Sequence, residues 1–403
     1  MRTPLRRAFG CLLLGWLVWL PAVPGAGAAE AADRGLSGAA EAAVRGGLTA
    51  LVERQGEDGS WSPEPGPAVT ALVLKALLQD GRTPGTDPAA AAALARVLAD
   101  VQPDGSIRGG PDAMLANYNT AICVSALSLL PGDPAARAAV EGGVAFLKRA
   151  QWQVGMADPA GDPVDEAHPY WGGAGYGRHG RPDVSNTQMM VQALHDAGLS
   201  PTDPAFARAA AFIARCQGRP GNDYFPEGTI VPDGGVIYST SEDAGNIGVP
   251  QSMANPGQQD PSVDEGRRGP VSGLRGYGTM TYAGFKSFLH AGLTRDDPRV
   301  QAALGWIRSN HTLDRNPGMP EGIDQQGLYY YYLVYGQALA ALGEDTLELA
   351  GGEVVDWRAA LTAALVERQR ADGTWSNEAD RWMEGDPNLA TVFAVLALQT
   401  AAE

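Results

Sequence analysis

Residues 356–375 read DWRAALTAALVERQRADGTW, and residues 391–398 read TVFAVLAL. The first stretch has the mixed polar and apolar spacing of an amphipathic helix, and it ends in an Asp-Gly turn. The second is apolar nearly all round, as expected of a helix that a second layer covers. Together they predict a helical hairpin with an outer helix that faces solvent and a buried inner helix.

The same hairpin pattern recurs six times along the chain. The predicted starts of the outer helices are Glu41, Asp87, Asp133, Asp203, Asp297 and Asp356, and a proline follows the aspartate in the middle four. The predicted inner helices share one register, with equivalent segments at 70–77, 120–127, 187–194, 281–288, 332–339 and 391–398. Because a seven-residue offset keeps both ends on one helical face, the recurrence is an internal repeat. Six hairpins close most naturally into a double ring, so the predicted fold class is an all-α (α/α)6 toroid.

Three connections inside the hairpins are long, at about 153–183, 218–279 and 310–327. Each joins an outer helix to an inner one. In a ring they gather at one mouth, above the amino-terminal ends of the inner helices. Long ordered loops on a rigid scaffold commonly carry binding or catalysis, so the functional site is expected at that mouth.

The amino-terminal segment has the pattern of a cleavable signal peptide. Residues 1–28 contain Arg2, Arg6 and Arg7, an apolar run, and a small-residue cleavage pattern that ends at Ala28. The alternative is an uncleaved membrane anchor, but the apolar run is shorter than the ~20 residues that a spanning helix needs. The predicted domains are therefore the leader at 1–28, a short linker at 29–40 and one toroid at 41–403. The expected location is secreted or periplasmic, with no integral membrane segment after cleavage.

The amino-acid composition of the chain limits the kinds of partner that the protein is expected to bind. The chain has 30 Lys and Arg against 46 Asp and Glu, for a net charge of −16. This excess of acid argues against nucleic acid, anionic membrane surfaces and polyanionic substrates. After cleavage two cysteines remain, Cys123 and Cys216, so a disulfide framework is excluded and a single bridge stays open.

Two turns resemble motifs of a known superfamily. The Gln-x3-Gly-x-Trp elements at 55–61 and 369–375 resemble the QW motifs of squalene and hopene cyclases. The six hairpins resemble the toroid that those cyclases share with protein prenyltransferase β subunits. Within this superfamily the chain is most similar to secreted bacterial prenyltransferase and squalene oxidase repeat proteins, through RPDVSNTQ at 181–188, GYGTMTYA at 276–283 and QGLYYYY at 326–332. The resemblance covers about residues 36–402.

The resemblance implies the fold more strongly than the chemistry. Protonation-type cyclases carry Asp-x-Asp-Asp-Thr, whereas residues 183–187 read DVSNT, and the serine in the place of the acid cannot protonate an alkene. Prenyltransferases bind zinc through Asp-x-Cys and a histidine, whereas the helix in question reads LYYYY at 328–332. No metal site and no cofactor are therefore predicted.

Three residues are candidate acids or bases: Asp183, His168 and His311. Asp183 precedes a predicted inner helix, where the alternative role is an ordinary helix cap. The two histidines lie in the long loops, where the alternative is a solvated side chain.

Twelve residues are candidate contacts for a ligand at the mouth. Asn186 and Gln188 lie at the start of an inner helix, where a polar side chain needs a partner. For the tyrosines, the alternative role is packing in the core. Lys286 is a candidate because it is a lysine within an apolar helical segment. The candidates are Tyr170, Trp171, Tyr176, Asn186, Gln188, Tyr277, Tyr282, Lys286, Tyr329, Tyr331, Tyr332 and Trp382.

Three functions remain open at this point. The first is an enzyme that applies acid/base chemistry to a neutral apolar or glycan substrate in a central cavity. The second is a non-catalytic toroid that holds an isoprenoid, hopanoid or peptide there. The third is an assembly module outside the cell.

Overall fold

The computed structural model describes residues 26–64, 66–109, 115–177, 180–255 and 271–403, with the backbone alone for residues 26–37. Most of the predicted leader at 1–28 lies outside the described residues. Within these ranges the chain forms twelve α-helices: α1 Ala26–Glu53, α2 Ala68–Gln79, α3 Pro88–Ala99, α4 Ala116–Leu127, α5 Pro134–Ala150, α6 Val184–Asp196, α7 Pro204–Arg215, α8 Gly278–His290, α9 Pro298–Asn310, α10 Leu328–Leu342, α11 Trp357–Arg368 and α12 Pro387–Ala402. Helix α1 runs through residues 29–40, for which the sequence predicted a linker.

The even-numbered helices form a closed inner ring. Each packs on the next in the order α2, α4, α6, α8, α10 and α12, and α12 packs back on α2. The odd-numbered helices lie outside, and each packs against the inner helix that precedes it in the ring, with α1 against α12. The predicted all-α toroid of six hairpins is confirmed.

Aspartate caps determine where most helices begin. The carboxylate of Asp87 accepts hydrogen bonds from the N–H groups of Ala89 and Ala90 at 2.8 and 3.0 Å, which satisfies donors that the first helical turn leaves free. Asp133, Asp203 and Asp297 cap α5, α7 and α9 in the same way. A further Asp-Pro pair at 386–387 begins the inner helix α12.

A threonine in the first turns of the inner helix ties the hairpin loop to the ring in five of the hairpins. The hydroxyl of Thr70 accepts a hydrogen bond from the backbone N–H of Trp61 at 3.0 Å. In the described part of the chain, four more inner helices repeat this contact at 2.9–3.0 Å, through Thr120, Thr187, Thr281 and Thr391. The fifth hairpin has Tyr332 at this place, and its hydroxyl donates to the carbonyl of Leu313 instead. These contacts hold the inner helices in one common register.

Glutamines at the ends of outer helices join neighbouring hairpins. The side-chain amide of Gln151 donates to the carbonyls of Gly172, in its own hairpin, and Ala205, on the next outer helix, both at 2.9 Å. Gln55 and Gln217 make equivalent bridges. Gln369 closes the circle, since its amide donates to Gly373 and to Ala43 of α1, both at 2.9 Å.

The three long loops identified in the sequence all reach the amino-terminal ends of inner helices, as predicted. They span the intervals between α5 and α6, α7 and α8, and α9 and α10. The first contains the antiparallel pair β1 Ala174–Gly175 and β2 Pro182–Asp183. A second pair, β3 Thr346–Glu348 and β4 Val354–Asp356, joins α10 to α11. One end of the ring is therefore covered by loops.

The two cysteines that follow the leader do not pair. Cys123 lies on α4 and Cys216 directly after α7, and both are buried free thiols. Burial raises the pKa of the Cys123 thiol well above its usual value, which leaves it unreactive at neutral pH. None of the helices in the described ranges combines the length and the apolar character needed to cross a bilayer.

We expect Gln369→Ala to lower the free energy of unfolding by about 1–3 kcal/mol, because the carbonyls of Gly373 and Ala43 lose their shared donor where the ring closes. Urea denaturation followed by circular dichroism measures the change. Gln301→Ala, at an exposed position on α9, is the matched control and is expected to stay within about 0.5 kcal/mol of the parent. Equal stability of the two variants would show that the bridge does not hold the ring together.

Candidate functional site

A cavity of about 370 Å³ lies at the loop-covered end of the inner ring. Each inner helix contributes one residue to the cavity wall. That residue lies two positions before the shared register place, which is a threonine in five of the six inner helices. These six residues are Ala68, Tyr118, Ser185, Thr279, Tyr330 and Leu389. Because all six inner helices reach it, the cavity lies on the axis of the ring.

The long loops complete the wall of the cavity. Tyr176 comes from the first loop, Tyr238 and Met253 from the second, and Met319 from the third. Trp382, Met383 and Glu384, which precede α12, add one more side. The wall is mostly aromatic and aliphatic, with a few polar groups that include Asn119, Asn316 and Gln326.

In the described chain five tyrosines line this cavity, and they differ in their hydrogen bonds. The hydroxyl of Tyr330 accepts from the Gln188 amide at 2.7 Å, and the Tyr176 and Tyr238 hydroxyls lie 3.4 Å apart. The hydroxyls of Tyr118 and Tyr277 have no hydrogen-bond partner among the described residues. Burial raises the pKa of all five, so each keeps its proton at neutral pH. The cavity therefore offers two unengaged hydroxyls.

Glu384 is the carboxylate that the described residues bring to the cavity wall. Its oxygens accept from the backbone N–H of Tyr330 at 2.8 Å and from the Asn377 amide at 2.7 Å. Gly327, at the N-cap position of α10, has a φ of 68° and no side chain to cap the helix. Glu384 supplies that cap from the segment that precedes α12. Burial raises the pKa of Glu384, and these donors oppose the rise.

Asp183 is fully buried and does not line the cavity. It is the N-cap of α6, and its carboxylate accepts from the backbone N–H of Asn186 at 2.7 Å. The Asn186 side-chain amide donates to both carboxylate oxygens, at 3.1 and 3.0 Å. Burial raises the pKa of Asp183, while the nearby charge of Arg181 lowers it.

The two candidate histidines lie apart from Asp183 and from the cavity lining. His168 Nε2 is 3.3 Å from Asp158 in the first long loop. His311 follows α9, and its Nε2 is 3.0 Å from the Tyr335 hydroxyl. Burial lowers the pKa of His311. The structure therefore gives the three candidate acids and bases separate partners, and their catalytic role stays a prediction.

Three of the twelve candidate contacts line the cavity: Tyr176, Tyr277 and Trp382. Gln188 stands behind the wall and binds Tyr330, and Asn186 binds Asp183. The remaining aromatic candidates pack elsewhere. Tyr170 and Trp171 belong to a small separate core, and Tyr282, Tyr329, Tyr331 and Tyr332 belong to the main core.

Three tyrosines that were not predicted from the sequence also line the cavity: Tyr118, Tyr238 and Tyr330. Tyr118 and Tyr330 carried a usable signal, since both lie two positions before the shared register place. Tyr238 lies in a long loop with no repeat pattern. Its position at the cavity follows from tertiary packing, which periodicity does not report.

Lys286 lies below the cavity, in a layer of polar side chains that crosses the ring. Five of the six inner helices have a polar residue at one register place, five positions after the threonine place: Lys75, Ser125, Gln192, Lys286 and Gln337. The sixth, α12, has Leu396 there. Lys75 of α2 pairs with Asp196 of α6 at 3.0 Å. Because α2 and α6 are not neighbours in the ring, this ion pair spans the ring interior.

Lys286 is the most buried charge-bearing member of this layer, with 1% of its surface exposed. Its Nζ donates to the Gln337 side-chain oxygen at 2.6 Å. Burial lowers the pKa of Lys286 to about 7, and the charge of Asp196 opposes the effect.

Comparison with known proteins identifies the architecture. No protein-family model and no curated protein matches the chain. Among solved structures, a protein from Actinoplanes is similar, with a TM-score of 0.51, 17% identity, and coverage of 90% of this chain and 100% of that one. A D-mannose isomerase gives a TM-score of 0.51 at 12% identity, with coverage of 89% and 96%. The chain is thus an all-α toroid, and at these identities the likeness shows the fold alone.

The type II terpene cyclase MstE from Scytonema, in its apo form, is more distant. Its TM-score is 0.48 at 13% identity, with coverage of 91% of this chain and 98% of the cyclase. Nothing about a ligand or reaction of this chain follows from a similarity of that size.

We expect the stability of the protein to rise with pH between about 7 and 9.5. The unfolded chain keeps the Lys286 proton up to the ordinary lysine value of 10.5, whereas the folded state loses it near pH 7. In this window the unfolded state binds more protons, so the free energy of unfolding increases with pH. Urea denaturation at a series of pH values measures this slope.

Lys286→Met keeps the length of the side chain and removes the titrating group. We expect it to flatten the slope between pH 7 and 9.5 and to stabilise the protein at pH 7. Lys148→Met, at a part-exposed lysine on α5, is the control and should keep the parental slope. A Lys286→Met variant with the full parental slope would contradict the assignment of the titration to Lys286.

Proposed function

We propose that the protein binds a small, mostly apolar molecule of the isoprenoid class in the cavity at the loop-covered end of the ring. The observation that carries the proposal is the wall of that cavity. It encloses about 370 Å³ between six helices and is built mainly from tyrosine, methionine and aliphatic side chains. Pockets of this size and lining are typical of sites for small apolar ligands.

The wall suits a branched hydrocarbon chain. Burial of apolar surface drives the association, and flexible methionines such as Met253, Met280 and Met319 adapt to methyl branches. The unengaged hydroxyls of Tyr118 and Tyr277 would bind an oxygen at one end of the ligand. Because aromatic, methionine and aliphatic side chains form most of this wall, we favour the isoprenoid over the sugar.

The arrangement of the carboxylates favours binding without catalysis. Glu384 is engaged as a helix cap by the N–H of Tyr330 and the amide of Asn377. Asp183 lies behind the wall, where the Tyr238 side chain and Asn186 bind its carboxylate. His168 and His311 bind Asp158 and Tyr335, which do not line the cavity. A general acid must reach the reacting atom within hydrogen-bond distance, and none of these three residues lines the cavity. We also propose, from the leader pattern at residues 1–28, that the protein acts outside the cytoplasm.

Titration with farnesol and geranylgeraniol, followed by the fluorescence of the tryptophans and by calorimetry, tests the proposal. We expect saturable binding, and we expect Leu72→Trp to weaken it at least tenfold because the larger ring fills the lower end of the cavity. Leu129→Trp, the same substitution at an exposed site after α4, is the control and should bind like the parent. Absence of binding to the parent protein would overturn the proposal, as would unchanged binding by Leu72→Trp.

A second test concerns the oxygen of the ligand. Tyr277→Phe should weaken binding of the alcohol about three- to tenfold, the worth of one hydrogen bond, and leave binding of the matching hydrocarbon unchanged. Tyr282→Phe, in helix α8, which begins directly after the N-cap residue Tyr277, lies outside the cavity and is the control. Equal losses for the alcohol and the hydrocarbon would show that Tyr277 contributes packing alone.

A further inference from the structure

Five aromatic side chains form an unbroken line of ring contacts along α10. The line runs from Tyr329 through Tyr332, Tyr331 and Tyr335, all on α10, to Trp357 at the start of the outer helix α11. The centroids of successive rings are 5.9, 5.9, 5.9 and 6.4 Å apart, which is contact distance for aromatic pairs. All five rings are buried and none of them lines the cavity, so the proposed ligand site does not account for them.

Tyr335 differs from its neighbours in the partner of its hydroxyl. The hydroxyls of Tyr331 and Tyr332 donate to backbone carbonyls of the preceding loop, at 2.9 and 2.5 Å. The Tyr335 hydroxyl instead lies 3.0 Å from Nε2 of His311. An imidazole nitrogen can take up a proton near neutral pH, whereas a backbone carbonyl cannot. Among the described residues of this line, Tyr335 is therefore the one whose hydroxyl meets a base.

The protonation states of the pair suit a transfer of the proton from Tyr335 to His311. Burial raises the pKa of Tyr335 well above its ordinary value, so the phenol keeps its proton. Burial lowers the pKa of His311, and the charge of Glu353 opposes the fall, so the imidazole is neutral at pH 7. With its one ring proton on Nδ1, this imidazole accepts the hydrogen bond of the hydroxyl at Nε2.

This arrangement matters when an electron leaves the ring of Tyr335. A phenol that loses an electron in an apolar core becomes a buried cation, which is strongly unfavourable. If the phenolic proton moves to His311 as the electron leaves, Tyr335 becomes a neutral radical instead. The positive charge then lies on His311, which is half-buried and whose charged form Glu353 favours.

We infer that Tyr335 and His311 form a one-electron redox site, with the line of rings as the route by which the electron leaves. Its co-substrate is a one-electron oxidant of high potential that acts from outside the fold. Tyr335 gives one electron to the oxidant and its O–H proton to Nε2 of His311, and a one-electron reductant reverses both steps. This activity goes beyond the proposed ligand binding, since neither residue lines the cavity.

Trp357 is the outer end of the route. It is the first residue of α11, in the outer layer of helices, and its ring contacts that of Tyr335. The guanidinium of Arg358 lies 4.3 Å from the centroid of the Trp357 ring, and this arginine is partly exposed. One side chain thus separates Trp357 from solvent. An oxidant at the surface can take an electron from Trp357, which Tyr335 then replaces.

The test is electron paramagnetic resonance of the full chain, frozen at intervals after mixing with hexachloroiridate(IV), an outer-sphere one-electron oxidant. We expect a tyrosyl radical that ascorbate removes and that is missing in Tyr335→Phe. His311→Gln keeps an acceptor for the hydroxyl but supplies no base, so the radical yield should fall about tenfold or more. Because glutamine preserves the hydrogen bond, a role of His311 in packing alone would leave the yield unchanged.

Tyr170→Phe is the matched control. Tyr170 is also buried, and its ring lies 5.0 Å from that of Trp152, but its hydroxyl donates to the backbone carbonyl of Asp243. This variant should keep the parental radical. Trp357→Leu should slow the formation of the radical and leave its lifetime unchanged.

Two results would overturn the redox site. One is a parent protein that gives no tyrosyl radical, and the other is a parental yield in Tyr335→Phe or His311→Gln. His311 is half-buried, so His311→Gln keeps the inference testable if Tyr335→Phe does not fold. A parental rate of radical formation in Trp357→Leu would contradict the assigned route. Because the oxidant acts without a ligand in the cavity, these outcomes do not depend on whether the proposed isoprenoid binds.

Discussion

The hydrogen bond between an inner-helix threonine and the loop that precedes the helix governs the rest of this structure. It fixes where each inner helix begins relative to its loop and how the helix is rotated about its own axis. Because Thr70, Thr120, Thr187, Thr281 and Thr391 all make it, five of the six inner helices share a single rotation. Because of this shared rotation, the residues that line the cavity and those of the polar layer each lie at one level of the ring.

The sixth inner helix shows what happens when the threonine is replaced. In α10 the tyrosines at 331 and 332 reach back to the preceding loop and donate to the carbonyls of Thr312 and Leu313. These two side chains are consequently committed to the loop, and Tyr330 is left to face the axis. The same helix lacks an ordinary cap at Gly327, and Glu384 takes that role from the segment before α12. The cavity wall and the helix cap are thus built from the same residues.

The helices were predictable from sequence because their signals are local. Asp87 and Asp133 cap their own helices, and the apolar period of each inner helix shows which segments are buried. The cavity was less predictable, because its lining depends on which side of an apolar helix faces the axis. Four consecutive tyrosines cover every side of α10, so composition does not single out Tyr330. The loop residues Tyr238 and Met253 carry no periodic signal and depend entirely on tertiary packing.

Closure of the ring by Gln369 and Ala43 joins residues 326 positions apart. Contacts between neighbouring hairpins are local and can form as the chain emerges, but the last inner helix has to find the first one across the whole sequence. High separation between contacting segments slows folding and leaves unpaired apolar faces exposed in the meantime. During synthesis the toroid is therefore an open arc whose two ends expose apolar surface. It becomes a ring after its final helix has been made.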